Sequence, residues 1–284
     1  YGTLGDTTVS AQERVAELLE ALRSRGLSDS PGQRDVFLYA IDERCASPRA
    51  GQWRDAVRGN PRLAGLRVAQ TCGEPPSSQN VDIVILPTTA PPQWFTEGQA
   101  AAPRQLWLYN GVSPHAGPFL SDAPAMALRA NPWLARRLGA TRWFYWESAY
   151  WTDDNAGGWG PFDPFATTET FHNAQGDHAN GDGVLAYPGS QLQYPAHSLG
   201  YEGVIASRRL KLWRRGLQDV GYLRLAEQLA PDAARQALSL AVPWDGASAP
   251  GPAGSWDGAA SRLSRARRLL FDALSKAVIP GSAP

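Results

Sequence analysis

Charge of one sign is in no surplus in this sequence: 27 Lys and Arg balance 27 Asp and Glu over 284 residues. No net field would gather nucleic acid, so a nucleic-acid partner is not expected. Long apolar runs are absent too; none approaches the ~20 residues of a membrane span. Cysteine is scarce, with only Cys45 and Cys72, and the count alone decides little. No Gly-rich phosphate loop follows any of the strand-like runs, which argues against a nucleotide-binding sheet. What remains, 43% hydrophobic and 19% charged residues, is the composition of a soluble globular chain long enough for one large domain.

Aromatic residues are what the sequence has in quantity. Eleven Trp occur, many in Gly/Asp/Pro-rich stretches such as "YWTDDNAGGWGPFDPF" and "GSWDG". Most aromatics are packing residues, and the remainder suggest a surface on which sugar rings stack. The chain starts at Tyr1 without a Met and shows no signal peptide; it reads as a mature or excised segment.

Helical spacing runs over residues 8–25, with Val15, Leu18, Leu19 and Leu22 on one face and Gly26 as the stop. Continuous apolar runs at 35–41, 65–71, 81–87, 104–110 and 141–148 read as five strands. A short helix lies at 51–61 and another at 122–139, bent or restarted at Pro132. A long loop covers about 149–203. Residues 202–230 read as one long helix with a repeating apolar face. A Pro/Gly/Ser linker over 243–258 leads to a final amphipathic helix near 259–278. Two parts are expected, a barrel domain over 1–240 and a linker plus packing helix over 241–284.

Continuous apolar strands separated by helices argue for a parallel sheet covered on both faces. Each strand ends on polar or aromatic residues: Asp42-Glu43, Gln70-Thr71, Tyr109-Asn110, Trp146-Glu147. Ligand sites of parallel α/β folds lie at the carboxyl ends of strands. The class expected is therefore α/β of the (β/α)8 TIM-barrel type. Only five of its eight strands are found, and the simplest account puts the first three upstream of Tyr1. A weak strand such as "GVLAYPG" completing a smaller, irregular sheet is the alternative.

The run Val36–Ile41 ends in two adjacent acids. Side-chain neighbours along a strand point to opposite faces, so Asp42 and Glu43 reach one cavity only where strand gives way to loop. One could cap the next helix while the other is solvated. The alternative is a working carboxylate pair, which at such a place suggests glycoside hydrolysis.

Four stretches resemble the catalytic domain of glycoside hydrolase family 123. "LYAIDERCAS" looks like its strand-end Asp-Glu motif, and "WFYWESAYW" like its late barrel strand. "NGDGVLAYPG" is similar to its Gly-Asp-Gly…Tyr-Pro-Gly loop, and "SRRLKLWRRGLQDVGYL" to its closing helix. The resemblance spans about residues 35–230, with departures at Arg44, Arg215 and Val220-Gly221. It implies retaining, substrate-assisted cleavage of β-linked N-acetylhexosamine on a (β/α)8 barrel, with Asp42-Glu43 ending the fourth strand. The substrate's 2-acetamido oxygen would attack the anomeric carbon to form an oxazolinium ion. Asp42 would orient that acetamido group, and Glu43 would act as acid and then base. A catalytically inactive glycan-binding or scaffold domain on the same barrel is the other reading.

Arg209 matches the family's Arg and is expected at the site or in a buried ion pair. Tyr109, Trp146 and Tyr187 are candidates for a sugar pocket, and Glu147 is a rival strand-end acid. His172 and His178 hint at a metal, yet no third ligand has convincing spacing. Asp153-Asp154-Asn155 lacks the EF-hand pattern. No metal and no cofactor are therefore expected. Cys45 follows one strand and Cys72 another. If those strands are parallel neighbours ~4.8 Å apart, a disulfide fits without distortion; otherwise both are buried thiols. A disulfide would imply a secreted, periplasmic or cell-surface location.

Overall fold

The computed structural model describes residues 5–27, 36–100, 105–151, 163–172, 176–190, 198–243 and 258–278. The Asp153-Asp154-Asn155 motif, Trp159, His197 and nearly all of the linker at 243–258 lie outside the described residues.

The chain divides into two compact units, one of residues 1–109 with 139–142 and the other of 110–138 with 143–284. In the first, α1 (Val9–Ser24) is capped by the Thr8 side chain, which accepts from the Ala11 N–H. Four strands follow: β1 (Phe37–Asp42), β2 (Arg67–Thr71), β3 (Ile83–Pro87) and β4 (Gln105–Tyr109). They pair in parallel, in order. Helix α2 (Arg49–Gly59) connects β1 to β2, and α3 (Pro92–Ala100) connects β3 to β4. Ile83, Val84, Ile85 and Leu86 are all buried, which is why β3 reads as an unbroken apolar run: a parallel strand is covered on both faces. Arg54 of α2 is buried and donates to Asp82 Oδ1 at 2.8 Å and Asn80 Oδ1 at 2.5 Å, fastening the helix to the turn before β3.

β5 (Arg142–Phe144) stands next to β4 in the sheet order β1-β2-β3-β4-β5. The remaining described strands form two separate antiparallel pairs. β6 (Glu169–His172) pairs with β7 (His178–Asn180), and β8 (Ala186–Pro188) with β9 (Val204–Ala206). This corrects the (β/α)8 assignment. A barrel closes when its last strand hydrogen-bonds its first, whereas β1 and β5 are the two ends of an open sheet among the described residues. The weak strand "GVLAYPG" does not extend that sheet either; its β8 pairs with β9 instead. The architecture is an open five-stranded parallel α/β sheet with helices.

The second unit is mainly helical, with α4 (Ala125–Arg137), α5 (Arg208–Leu229), α6 (Pro231–Ala241) and α7 (Ala259–Val278). α4 continues through Pro132 rather than restarting there. Residues 202–230 are not one helix. β-branched Val204 and Ile205 suit a strand, and Ser207 then caps α5 by accepting from the Leu210 N–H at 3.1 Å. No described helix is long and apolar enough to cross a membrane.

Candidate active site at the strand ends

Asp42 and Glu43 stand at the carboxyl end of β1, both exposed. A β-bulge decides where Asp42 points. Tyr39 pairs with Ala69 and Asp42 with Thr71, so three steps along β1 match two along β2, with the register shift between Tyr39 and Ile41. In a regular strand residues three apart face opposite ways. The extra residue puts Tyr39 and Asp42 on the face that Thr71 shares, and re-aiming a side chain is a recurrent use of bulges.

The consequence is a hydroxyl-braced carboxylate. Tyr39 OH donates to Asp42 Oδ1 at 2.6 Å, and Thr71 Oγ1 reaches the same oxygen at 3.0 Å. The two hydroxyl oxygens are 2.6 Å apart. Burial, and then the hydrogen bond to Asp42, push the Tyr39 phenol well above its ordinary pKa, so it stays a proton donor. Oδ2 of Asp42 has no hydrogen-bond partner among the described residues.

Glu43 leaves the strand with φ +53°, in the left-handed region. Its N–H donates to Thr71 O and Thr71 Oγ1, each at 3.1 Å. Tyr109 OH, at the end of β4, donates to Glu43 Oε1 at 2.9 Å. Burial and the Glu43 charge raise the Tyr109 pKa, which keeps that donor protonated. Among the described residues two non-glycines have positive φ, Glu43 and Asn110, and each is the first residue beyond its strand. Such backbone costs energy and gathers at functional sites.

Cys45 and Cys72 are joined by a disulfide with Cα atoms 5.3 Å apart, tying the loop after Glu43 to the residue after β2. Glu74 lies close to both sulfurs, but sulfurs bonded to each other are not thiolate ligands for a metal. The bridge spans a sequence separation of 27. Loop-closure entropy then gives about 3–4 kcal/mol of stabilisation. The Cys45→Ala/Cys72→Ala double variant is expected to lose that much in urea denaturation, and the unreduced, denatured protein to titrate no thiol. Two reactive thiols would remove the bridge from the account.

The second unit holds the other candidates, packed around the Gly181-Asp182-Gly183 turn. Tyr145 OH donates to Asp182 Oδ1 at 2.5 Å and accepts from the Gly183 N–H at 2.8 Å. Burial, then the Asp182 charge, raises the Tyr145 pKa. Trp146 packs edge-on or tilted against Tyr150 and Phe171, with centroids 5.3 and 5.7 Å away. Gly183 has φ +74°, and a Cβ there would come within 2.7 Å of the Trp146 ring. Tyr187 on β8 stacks obliquely on Phe165. Glu147 accepts from the backbone N–H groups of Ser148 and Ala149 at 2.7 and 3.0 Å, a local turn cap.

Arg209 is buried and donates to three main-chain carbonyls, of Phe119, Gly181 and Val184, each at 2.5 Å. Gly181, with φ +71°, leaves the room: a Cβ would stand 2.9 Å from both terminal guanidinium nitrogens. The partner of the buried Asp219 is therefore not Arg209. Arg129 and Arg267 hold it, with Trp133 Nε1 at 3.5 Å. The closing-helix motif thus serves architecture: Ser207 caps, Arg209 clamps a loop, and Asp219 ties three helices.

The structure brings Asp42, Glu43 and Tyr109 together in the first unit, while Trp146, Glu147, Tyr187 and Arg209 belong to the second. Sequence reading noted Thr71 only as a strand end and quoted the stretches that hold Tyr39, Tyr145 and Asp182 without nominating any of the four as site residues. Tyr39 was hidden by the bulge, since a residue three before Asp42 belongs to the wrong face in a regular strand.

No protein-family model matches the chain, and no curated protein matches it in sequence. Among solved structures, the fold is similar to that of a family 123 glycoside hydrolase from Clostridium perfringens, described for the details of glycolipid glycan hydrolysis. The TM-score is 0.62 at 10% identity, covering 97% of this chain and 47% of that one. This chain therefore spans about half the length of the structure it resembles, and the likeness establishes fold alone.

Proposed function

We propose that this chain carries the catalytic carboxylates of a family 123-like glycoside hydrolase that removes β-linked N-acetylhexosamine by substrate assistance. The observation that carries the reading is the Asp42–Glu43 pair at a parallel strand's carboxyl end, braced by Tyr39, Thr71 and Tyr109. Tyr39 and Thr71 occupy Oδ1 of Asp42 and leave Oδ2 to accept the N–H of a 2-acetamido group. That hydrogen bond turns the acetamido oxygen toward the anomeric carbon and strengthens as positive charge grows on the nitrogen. Glu43 gives its proton to the departing glycosidic oxygen. It then takes one from the water that reopens the oxazolinium ring. This departs from the two-carboxylate scheme because no protein oxygen attacks the sugar. The disulfide supports an extracytoplasmic setting.

The test is nitrophenol release from p-nitrophenyl β-GalNAc, β-GlcNAc and β-glucoside. Cleavage of an acetamido sugar but not of the glucoside is expected, with Asp42→Asn strongly impaired. Comparable glucoside cleavage would end substrate assistance. No release from any of the three, with binding of N-acetylhexosamine retained, would leave a glycan-binding domain.

A further inference from the structure

The β6–β7 hairpin holds a ligand set that sequence spacing concealed. His172 and His178 are directly paired across the two strands. Their Nδ1 atoms lie 3.3 Å apart, and Glu169 Oε1 is 2.8 Å from His178 Nδ1. One coordinating atom from each residue falls within 4.8 Å of the other two. Glu169 is three residues before His172, the wrong spacing for one face of a strand. A register shift between Glu169 and Phe171 corrects it: Glu169 pairs with Asn180 and His172 with His178, so the carboxylate joins the imidazoles.

We propose that Glu169, His172 and His178 bind a divalent transition metal of the zinc class, with the fourth position open to solvent. Zinc takes imidazole nitrogen at ~2.0–2.1 Å, so two nitrogens of a tetrahedral ion stand about 3.3 Å apart. The His172–His178 separation matches that edge. Two imidazoles and one carboxylate are a donor set for zinc, not for calcium or magnesium, which take oxygen. Both the Glu169 oxygen and the His172 nitrogen face His178 Nδ1, and a cation placed among the three would accept a lone pair from each.

The metal would act as a cross-strand clasp. Isolated two-stranded hairpins are marginal, and this one carries Phe171, which packs on Trp146. Thr170 Oγ1 also donates to Asp182 O at 2.7 Å. Closing the hairpin would hold both the Phe171 contact with Trp146 and the Thr170 bond to the Asp182 carbonyl.

The experiment is titration of untagged, chelator-treated protein with ZnCl2 by calorimetry, and with CoCl2 by visible absorption. One equivalent is expected, with the absorption of four-coordinate Co²⁺ and a higher melting temperature. His172→Ala and His178→Ala should each weaken binding beyond the ~10–100-fold that loss of an outer-shell partner costs. His115→Ala should leave it unchanged. The folded state of each variant is checked by circular dichroism, and Glu169→Gln, which keeps the side chain's shape, provides a further test of the ligand set. No binding to the parent protein, or equal binding by the His172→Ala/His178→Ala double variant, would overturn the site.

Discussion

Glu43→Gln is expected to cut turnover on N-acetylhexosaminides with poor leaving groups by ~10²–10⁴, the usual worth of general acid–base help. The substitution is conservative where structure is concerned. A glutamine oxygen can still accept from Tyr109 OH, and the backbone bonds from the Glu43 N–H to Thr71 do not involve the side chain. What is lost is the proton. The deficit should therefore shrink as the leaving group becomes more acidic, because a nitrophenolate departs without protonation. A steep dependence in the variant, against a shallow one in the parent, identifies Glu43 as the acid. Near-parental rates on an alkyl glycoside would remove that role from Glu43. Tyr109→Phe offers a gentler companion, since it deletes the donor at 2.9 Å and leaves the carboxylate.

The covered sheet was legible because buried parallel strands are written as unbroken apolar runs, and β3 and β4 are the clearest cases. The final helix was equally plain, its apolar stripe giving 259–278 and the structure Ala259–Val278. Closure was not legible: the runs marked five strands, the eight-stranded barrel around them was inferred from fold class, and strand pairing at the sheet edges has no signature in the runs themselves. The two bulges were also invisible, since a one-residue insertion leaves composition untouched while reversing every face beyond it. Both catalytic and metal-site candidates depend on them, through Tyr39 with Asp42 and Glu169 with His172. α3 escaped notice because Pro91-Pro92 reads as a breaker, although Pro is welcome at a helix's first position. The break after Ala206 was signalled by Ser207 but was overridden by the apolar periodicity on either side of it.

Asp219→Ala is expected to destabilise the second unit by about 3–5 kcal/mol, the cost of breaking a buried ion pair from one side. Asp219 is fully buried on α5, with Arg129 Nε of α4 at 2.7 Å on Oδ2 and Arg267 of α7 on Oδ1. One carboxylate thus anchors guanidinium groups from two other helices. Arg129 is itself buried, so without Asp219 its charge has lost its anion in a place water hardly reaches. Arg267 is better placed, being partly exposed and stacked over Tyr222 at 4.8 Å. The penalty should therefore fall mainly on Arg129, and a double-mutant cycle can show it. Asp219→Leu combined with Arg129→Met removes the orphan charge and should recover part of the stability lost in Asp219→Leu alone. Urea denaturation of the four proteins measures the coupling, and exposed Asp272→Asn, expected within ~0.5 kcal/mol of the parent, serves as the control. Strict additivity in the cycle would mean that Asp219 stabilises by packing rather than by charge. The ionic tie between the three helices would then be incidental.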